Sequence, residues 1–99
     1  MPPTGSNVMA ARRLRIHGQV QGVGFRWAMT REAARLGASG WVRNRYDGTV
    51  EALVSGDDTT VARLIAWART GPDGADVSRV EVELAEDVSD SGFHQQPTV

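Results

Sequence analysis

A glycine-rich segment is the first place in this chain where chemistry could occur. Residues 18–26 read GQVQGVGFR, and a helical pattern begins directly after them. Glycines let successive backbone N–H groups converge on one point, and a helix N-terminus adds unpaired donors and the positive end of its dipole. Arg26, in the first turn, can add a guanidinium fork to the same anion. The segment indicates an anion-binding cradle, although the pattern alone also fits a glycine-rich connection beside a solvated arginine.

Asn44 is the second residue that could do chemistry, because its amide falls within a predicted strand. The segments 40–46 and 49–54 read as two strands joined around Asp47-Gly48. A three-residue loop with Gly48 in the left-handed region places Arg43 opposite Glu51 on one face. It leaves Asn44 on the apolar face with Val50. A two-residue loop would mix charged and apolar side chains on each face, so we expect the three-residue loop. A buried amide needs partners, so Asn44 is either a hydrogen-bonded core residue or a site residue.

The elements that must position these residues follow from hydrophobic periodicity. Alternation over residues 13–17 and 79–84 predicts two further strands. Helices are predicted from Phe25 to Gly37 and from about residue 56 to Gly71, each with an apolar stripe. The order β-α-β-β-α-β predicts an α+β, ferredoxin-like sandwich, with two helices on one face of a four-stranded antiparallel sheet. The polar stretch 87–99 could add a short C-terminal edge strand near Phe93 or be loose.

Composition limits the function classes. The 99 residues predict a single domain over 12–99 with a disordered tail over 1–11. All eleven basic residues are arginine, and eight of them lie in 12–45 with one acid, which points to that region for an anion site. No cysteine is present, and two histidines without a paired acidic motif predict no metal site. The short apolar runs and the absence of an apolar h-region predict a cytoplasmic protein with no membrane contact.

Two long motifs resemble those of the acylphosphatase family. Residues 16–26, IHGQVQGVGFR, are similar to its first signature, and residues 40–56, GWVRNRYDGTVEALVSG, are similar to its second. The run GPDGADVSRVEV at 71–82 resembles the approach to the last core strand. The likeness spans residues 12–84 in order. After Phe93 the sequence departs from the family pattern, because His94-Gln95-Gln96-Pro97 replaces an alternating apolar strand.

The resemblance implies metal-independent hydrolysis of acyl phosphates to a carboxylate and inorganic phosphate, without a cofactor. Arg26 is then the essential phosphate ligand and Asn44 orients the attacking water, which makes these two residues catalytic. Neither motif contains an obvious general base, and His17 is expected at the surface. The expected partner is the small acyl phosphate, and the expected state is a monomer. The phosphoryl-binding loop would comprise Val20, Gln21, Gly22, Val23, Gly24, Phe25 and Arg26.

Two other functions remain compatible with this fold. One is a non-catalytic, anion-binding or regulatory ferredoxin-like domain, and retention of both Arg26 and Asn44 favours the enzyme over it. The other is RNA binding on the open sheet face, which requires paired aromatic residues on the central strands. Only Trp41 is available there, and the net charge is −1, so no nucleic-acid partner is expected.

Overall fold

The computed structural model describes residues 8–86 and 91–99. Seven elements follow one another in the predicted order, with one additional strand at the end. They are β1 (Met9–Gln19), α1 (Phe25–Leu36), β2 (Ser39–Asn44), β3 (Val50–Asp57), α2 (Asp58–Ala68), β4 (Asp76–Leu84) and β5 (Phe93–Gln95).

The strands form one sheet in the order β4-β1-β3-β2-β5. All neighbouring strands are antiparallel except β5, which runs parallel to β2 and pairs Gly40 with Phe93 and Val42 with Gln95. The predicted ferredoxin-like sandwich is confirmed, with five strands in place of four. Of the two possibilities for the C-terminal stretch, the edge strand is correct.

The β2–β3 hairpin has the predicted register. The N–H of Arg45 donates to the Thr49 carbonyl oxygen at 2.9 Å, and Gly48 has a φ of 93°. Arg43 therefore lies opposite Glu51, and Asn44 lies opposite Val50. A residue with a side chain would be strained at the Gly48 conformation, so glycine fixes the turn and, through it, the face on which Asn44 lies.

The hydrophobic core lies between the sheet and the two helices. Leu14 and Ile16 of β1 are fully buried, and so are Met29 of α1 and Leu64 of α2. Asp57 caps α2 by accepting a hydrogen bond from the Thr60 N–H at 2.8 Å, which satisfies one of the unpaired donors at the helix start. The core fixes α1 over the sheet, and so it fixes the glycine-rich segment that precedes α1.

The opposite face of the sheet is covered by charged side chains. The Glu51 side chain is only 4% exposed and accepts hydrogen bonds from Arg43 at 2.9 Å and Arg45 at 3.0 Å. Arg15 approaches the second carboxylate oxygen of Glu51 at 3.8 Å. Three of the arginines in the basic segment are therefore paired with a carboxylate on this face and are unavailable to an anion at α1.

One sequence prediction needs correction. The predicted tail of residues 1–11 is too long, because β1 begins at Met9; residues 1–7 lie outside the described residues. Val82 and Leu84 alternate as expected in β4, but they are 39% and 81% exposed. The two helices pack mainly on the other four strands, so no helix covers the end of β4.

Candidate active site

The glycine-rich segment leads directly into the N-terminus of α1, which no side chain caps. Gly22 and Gly24 have φ values of 75° and 77°, in the left-handed region where other residues are strained. Gly24 is the N-cap of α1 and offers no capping side chain, and the first turn contains no acid. Ala28 makes the first helical bond to the Gly24 carbonyl oxygen at 3.0 Å. Within the described residues, the N–H groups at 25–27 donate to no backbone carbonyl, so they are free to face an anion.

A cavity of about 140 Å³ opens at this helix terminus. Among the described residues that line it, Arg26 is the only charged one, which favours an anion in the cavity. In the part of the chain that the structure describes, the Arg26 guanidinium forms no salt bridge, in contrast to Arg15, Arg43 and Arg45. The residues that line the cavity are Val20, Gly22, Gly24, Phe25, Arg26, Trp27, Asn44 and Gln95.

Asn44 enters the same cavity from the sheet. It is the last residue of β2, and its carbonyl oxygen accepts a hydrogen bond from the Val99 N–H at 3.1 Å, which holds the backbone at this point. Its side-chain amide has no hydrogen-bond partner across residues 8–86 and 91–99, so a core hydrogen-bonding role lacks the partner it would need. The structure therefore brings together the two residues that the sequence analysis selected, although eighteen positions separate them.

The predicted phosphoryl-binding loop divides into residues that reach the cavity and residues that hold the loop. Val20, Gly22, Gly24, Phe25 and Arg26 line the cavity, whereas Gln21 and Val23 do not. Val23 packs against the core. The Gln21 side-chain amide donates to the Arg45 carbonyl oxygen at 2.7 Å and to the Thr49 carbonyl oxygen at 2.9 Å. Gln21 thus ties the loop to the hairpin that carries Asn44.

Sequence reasoning missed two residues of the cavity wall. Trp27 follows Arg26 directly and is 58% exposed, which is unusual for so large an apolar side chain. Its position next to Arg26 was the signal that could have identified it. Gln95 reaches the cavity because the parallel pairing of β5 with β2 sets it beside Val42. No local pattern in the polar C-terminal stretch indicates that pairing.

Among the described residues, none of those that line the cavity carries a carboxylate or an imidazole. His17 is on the opposite face of β1 from Leu14 and Ile16, where its Nε2 lies 2.8 Å from Glu81. Among the described residues, no group of three or more His, Cys, Asp or Glu side chains is arranged to hold a metal ion. Over the same residues, neither helix has the length and apolar character needed to cross a membrane.

Comparisons with known proteins agree on one family. The acylphosphatase family model matches residues 12–95. An acylphosphatase of Azoarcus is 55% identical, covering 97% of this chain and 98% of its own length. An acylphosphatase of Thermococcus kodakarensis is 59% identical, with 81% of this chain and 88% of its own length covered.

The solved structure of an acylphosphatase from Coxiella burnetii superimposes with a TM-score of 0.86 at 31% identity, covering 90% of this chain and 94% of that one. The fold and the sequence likeness therefore agree over nearly the whole chain. The chain belongs to the acylphosphatase family and is a hydrolase of acyl phosphates.

Proposed function

We propose that the cavity at the N-terminus of α1 is the active site, in which Arg26 binds the phosphoryl group and Asn44 places the attacking water. The observation that carries the proposal is that both side chains line one small cavity together with the open end of the helix. The guanidinium and the free N–H groups present donors to a tetrahedral anion from two directions. Residues 20–26 form the binding loop, with Gln21 and Val23 holding it in place.

The reaction needs little covalent chemistry from the protein. Water attacks phosphorus in line with the bond to the acyl oxygen; that bond breaks, and the carboxylate departs with its electron pair. Charge on the phosphoryl oxygens is matched by Arg26 and the backbone donors, while Asn44 orients the water through its amide. Positioning of this kind supplies much of the rate enhancement in phosphoryl transfer.

The proton of the attacking water passes to the substrate. The lining residues that the structure describes include no carboxylate and no imidazole, and His17 lies on the other side of the sheet. A phosphoryl oxygen of the substrate is the base within reach of the water. The charge of the substrate is met by Arg26 and the helix terminus, so the proposal requires no metal ion or organic cofactor.

We also propose that the protein is a monomer and that it is cytoplasmic. Arg26, Asn44 and the N-terminus of α1 belong to the same chain, which supports a monomer as the catalytic unit. The absence of cysteine is compatible with a reducing, cytoplasmic environment. Mass determination by light scattering at assay concentration tests the monomer; a dimer at that concentration would overturn it.

The test is the hydrolysis of benzoyl phosphate by Arg26 variants. Arg26→Ala is expected to lower kcat/KM by about 10²–10³-fold, since one group that stabilises developing charge is lost. Arg26→Lys should recover little, because an ammonium cannot reproduce a planar fork. The matched control is Arg69→Ala, which removes an exposed arginine at the end of α2 and should leave the rate unchanged. The assay is repeated with EDTA, which should not reduce turnover.

Near-normal turnover in Arg26→Ala or Arg26→Lys would contradict the proposed phosphate ligand. Loss of activity in EDTA, with recovery on addition of Mg²⁺ or Zn²⁺, would contradict the mechanism while leaving the anion site possible. Equal losses in Arg26→Ala and Arg69→Ala would show that the effect is one of overall charge.

A further inference from the structure

The active-site cavity is smaller than a typical ligand pocket. Its volume of about 140 Å³ lies below the roughly 300–1,000 Å³ typical of pockets that bury a small organic ligand. With the phosphoryl group placed at Arg26 and the helix terminus, as proposed above, little of this volume remains for a bulky acyl group. Such a group would extend toward the surface, where Trp27 is an exposed, large apolar residue of the cavity wall.

Trp27 is also part of the wall of a second, larger cavity. That cavity measures about 420 Å³, and its wall includes Trp67 and Pro72 besides Trp27. Trp27 is therefore common to the walls of both cavities, and an acyl group that extends from the first toward the second would meet this residue. Its remaining lining residues are Ala28, Arg31, Glu32 and Arg35 of α1, and Pro72 follows α2, so the second cavity runs along α1 and faces the end of α2.

The aromatic side chains at this junction are held in place. The Arg31 guanidinium lies 4.8 Å from the centroid of the Trp27 ring, a cation–π contact that restrains the indole. Trp67 meets Phe25 edge to face at 5.4 Å, and Phe25 itself lines the first cavity. Arg35 is engaged by Glu32 at 2.6 Å and 2.9 Å, so its charge is compensated within the helix. The indole is thus held with one face toward the Arg31 guanidinium, and its remaining exposed surface is apolar.

We propose that Trp27 is a specificity-determining residue: it carries the acyl group of the substrate and favours acyl phosphates whose acyl group is aromatic or bulky and apolar. The inference rests on the proposed function, because it requires the phosphoryl group to lie at Arg26. A ring of benzoyl size can stack on the indole, and such a contact contributes beyond simple burial. An acetyl group offers only a methyl and gains little from the same surface.

The test compares benzoyl phosphate with acetyl phosphate in the full-length chain. Trp27→Ala is expected to lower kcat/KM for benzoyl phosphate about 5- to 10-fold, the size of a lost aromatic contact, and to change the value for acetyl phosphate less than about twofold. Trp27→Phe should keep most of the preference, since it retains a ring. The inhibition constant for inorganic phosphate should be the same in all three proteins. The control is Tyr46→Ala, which removes an aromatic that is 86% exposed in the β2–β3 turn and should alter neither substrate.

Equal losses on both substrates in Trp27→Ala, or no loss on either, would overturn the inference. A preference lost in Trp27→Phe as fully as in Trp27→Ala would also count against stacking on the ring. Arg26→Ala is assayed in parallel to separate the two proposals. If Arg26→Ala is inactive and Trp27→Ala keeps the wild-type preference, only the role of Trp27 is wrong. If Arg26→Ala is fully active, both proposals fail.

Discussion

At the scale of single residues, Asn44 is a polar side chain on an apolar face that lies at the edge of the cavity. Its neighbours on β2 and β3, Val42 and Val50, are fully buried, whereas Asn44 lies where the core ends and the cavity begins. A buried amide is costly without a partner. A substrate water would provide that partner, and the amide would hold the water in one orientation.

Asn44→Ala is expected to lower kcat about 10²–10³-fold, as for loss of one positioned polar group, with a much smaller change in KM. The reason is that water placement acts mainly in the transition state, whereas Arg26 carries substrate binding. Steady-state kinetics on benzoyl phosphate measure both constants, and circular dichroism verifies the fold. An unchanged kcat, or a variant that does not fold, would contradict the assignment; the second result would support a structural role.

At the scale of elements, the site depends on the relation between one loop and one hairpin. Arg26 belongs to α1 and Asn44 to β2, and the direct link between their supports is the pair of hydrogen bonds from Gln21 to the carbonyls of Arg45 and Thr49. Each of these bonds crosses from the glycine-rich segment to the base of the β2–β3 turn. Gln21 therefore links the loop before Arg26, the proposed phosphate ligand, to the hairpin that carries Asn44, the proposed water-positioning residue, and it does not line the cavity.

Gln21→Ala should lower kcat/KM by about 10-fold or more, because small displacements of catalytic groups cost rate steeply. Gln21→Glu should be at least as damaging at neutral pH, since carboxylate oxygens would then face two carbonyl oxygens. The matched control is Gln19→Ala, two residues earlier at the exposed end of β1, for which we expect wild-type kinetics. Wild-type activity in Gln21→Ala, or equal losses at both glutamines, would disprove the positioning role.

The charged face of the sheet makes a separate prediction about pH. Burial raises the pKa of the Glu51 carboxyl, but hydrogen bonds from Arg43 and Arg45 outweigh it and hold the pKa below its ordinary value of 4.5. A carboxyl whose pKa is lowered by folding stabilises the native state above its unfolded pKa, and this contribution disappears as the pH falls through the folded value. Stability should therefore decline on acidification below about pH 4.5.

Urea unfolding of wild type and Glu51→Gln between pH 7 and pH 3 measures this contribution. At pH 7 the variant should be less stable by about 1–3 kcal/mol, the range for losing hydrogen bonds to a charged group, and the difference should narrow at pH 3. Glu86→Gln, at an exposed position after β4, should match wild type at every pH. A stability difference that stays constant between pH 7 and pH 3 would mean that ionisation of Glu51 is not its source.

At the scale of the whole molecule, the parts that sequence could predict are those with a local cause. The turn at Asp47-Gly48 has a defined chemistry and the two strands have clean alternation, so the register, and with it the face of Asn44, follow from the sequence. The N-terminal end of α1 is likewise marked by Gly22 and Gly24. The remaining features depend on contacts between residues that are distant in the sequence, and no local pattern indicates those contacts.

Two examples show that dependence. Gln95 lines the cavity because β5 pairs in parallel with β2. A hydrogen bond from the Gln96 N–H to the Val42 carbonyl oxygen at 2.9 Å continues this pairing. The short polar strand carries too few alternating residues to predict this pairing. Leu84 alternates as a buried residue would, yet it is exposed because neither helix extends over the end of β4. Alternation predicts the face of a strand, and the packing of other elements determines whether that face is covered.

The central claim, that an anion binds at Arg26 and the helix terminus, is tested most directly by the thermal midpoint in inorganic phosphate. A ligand that binds only the native chain stabilises it by about 2.7 kcal/mol at a concentration one hundred times Kd. For a domain of this size that corresponds to a rise in Tm of about 10 °C or more. Chloride at matched ionic strength measures general screening of the arginines. We expect a large rise in Tm with phosphate and little rise with chloride. The rise with phosphate should vanish in Arg26→Ala and largely persist in Asn44→Ala. Equal shifts from phosphate and chloride, or a full phosphate shift in Arg26→Ala, would place the anion site elsewhere and contradict the account.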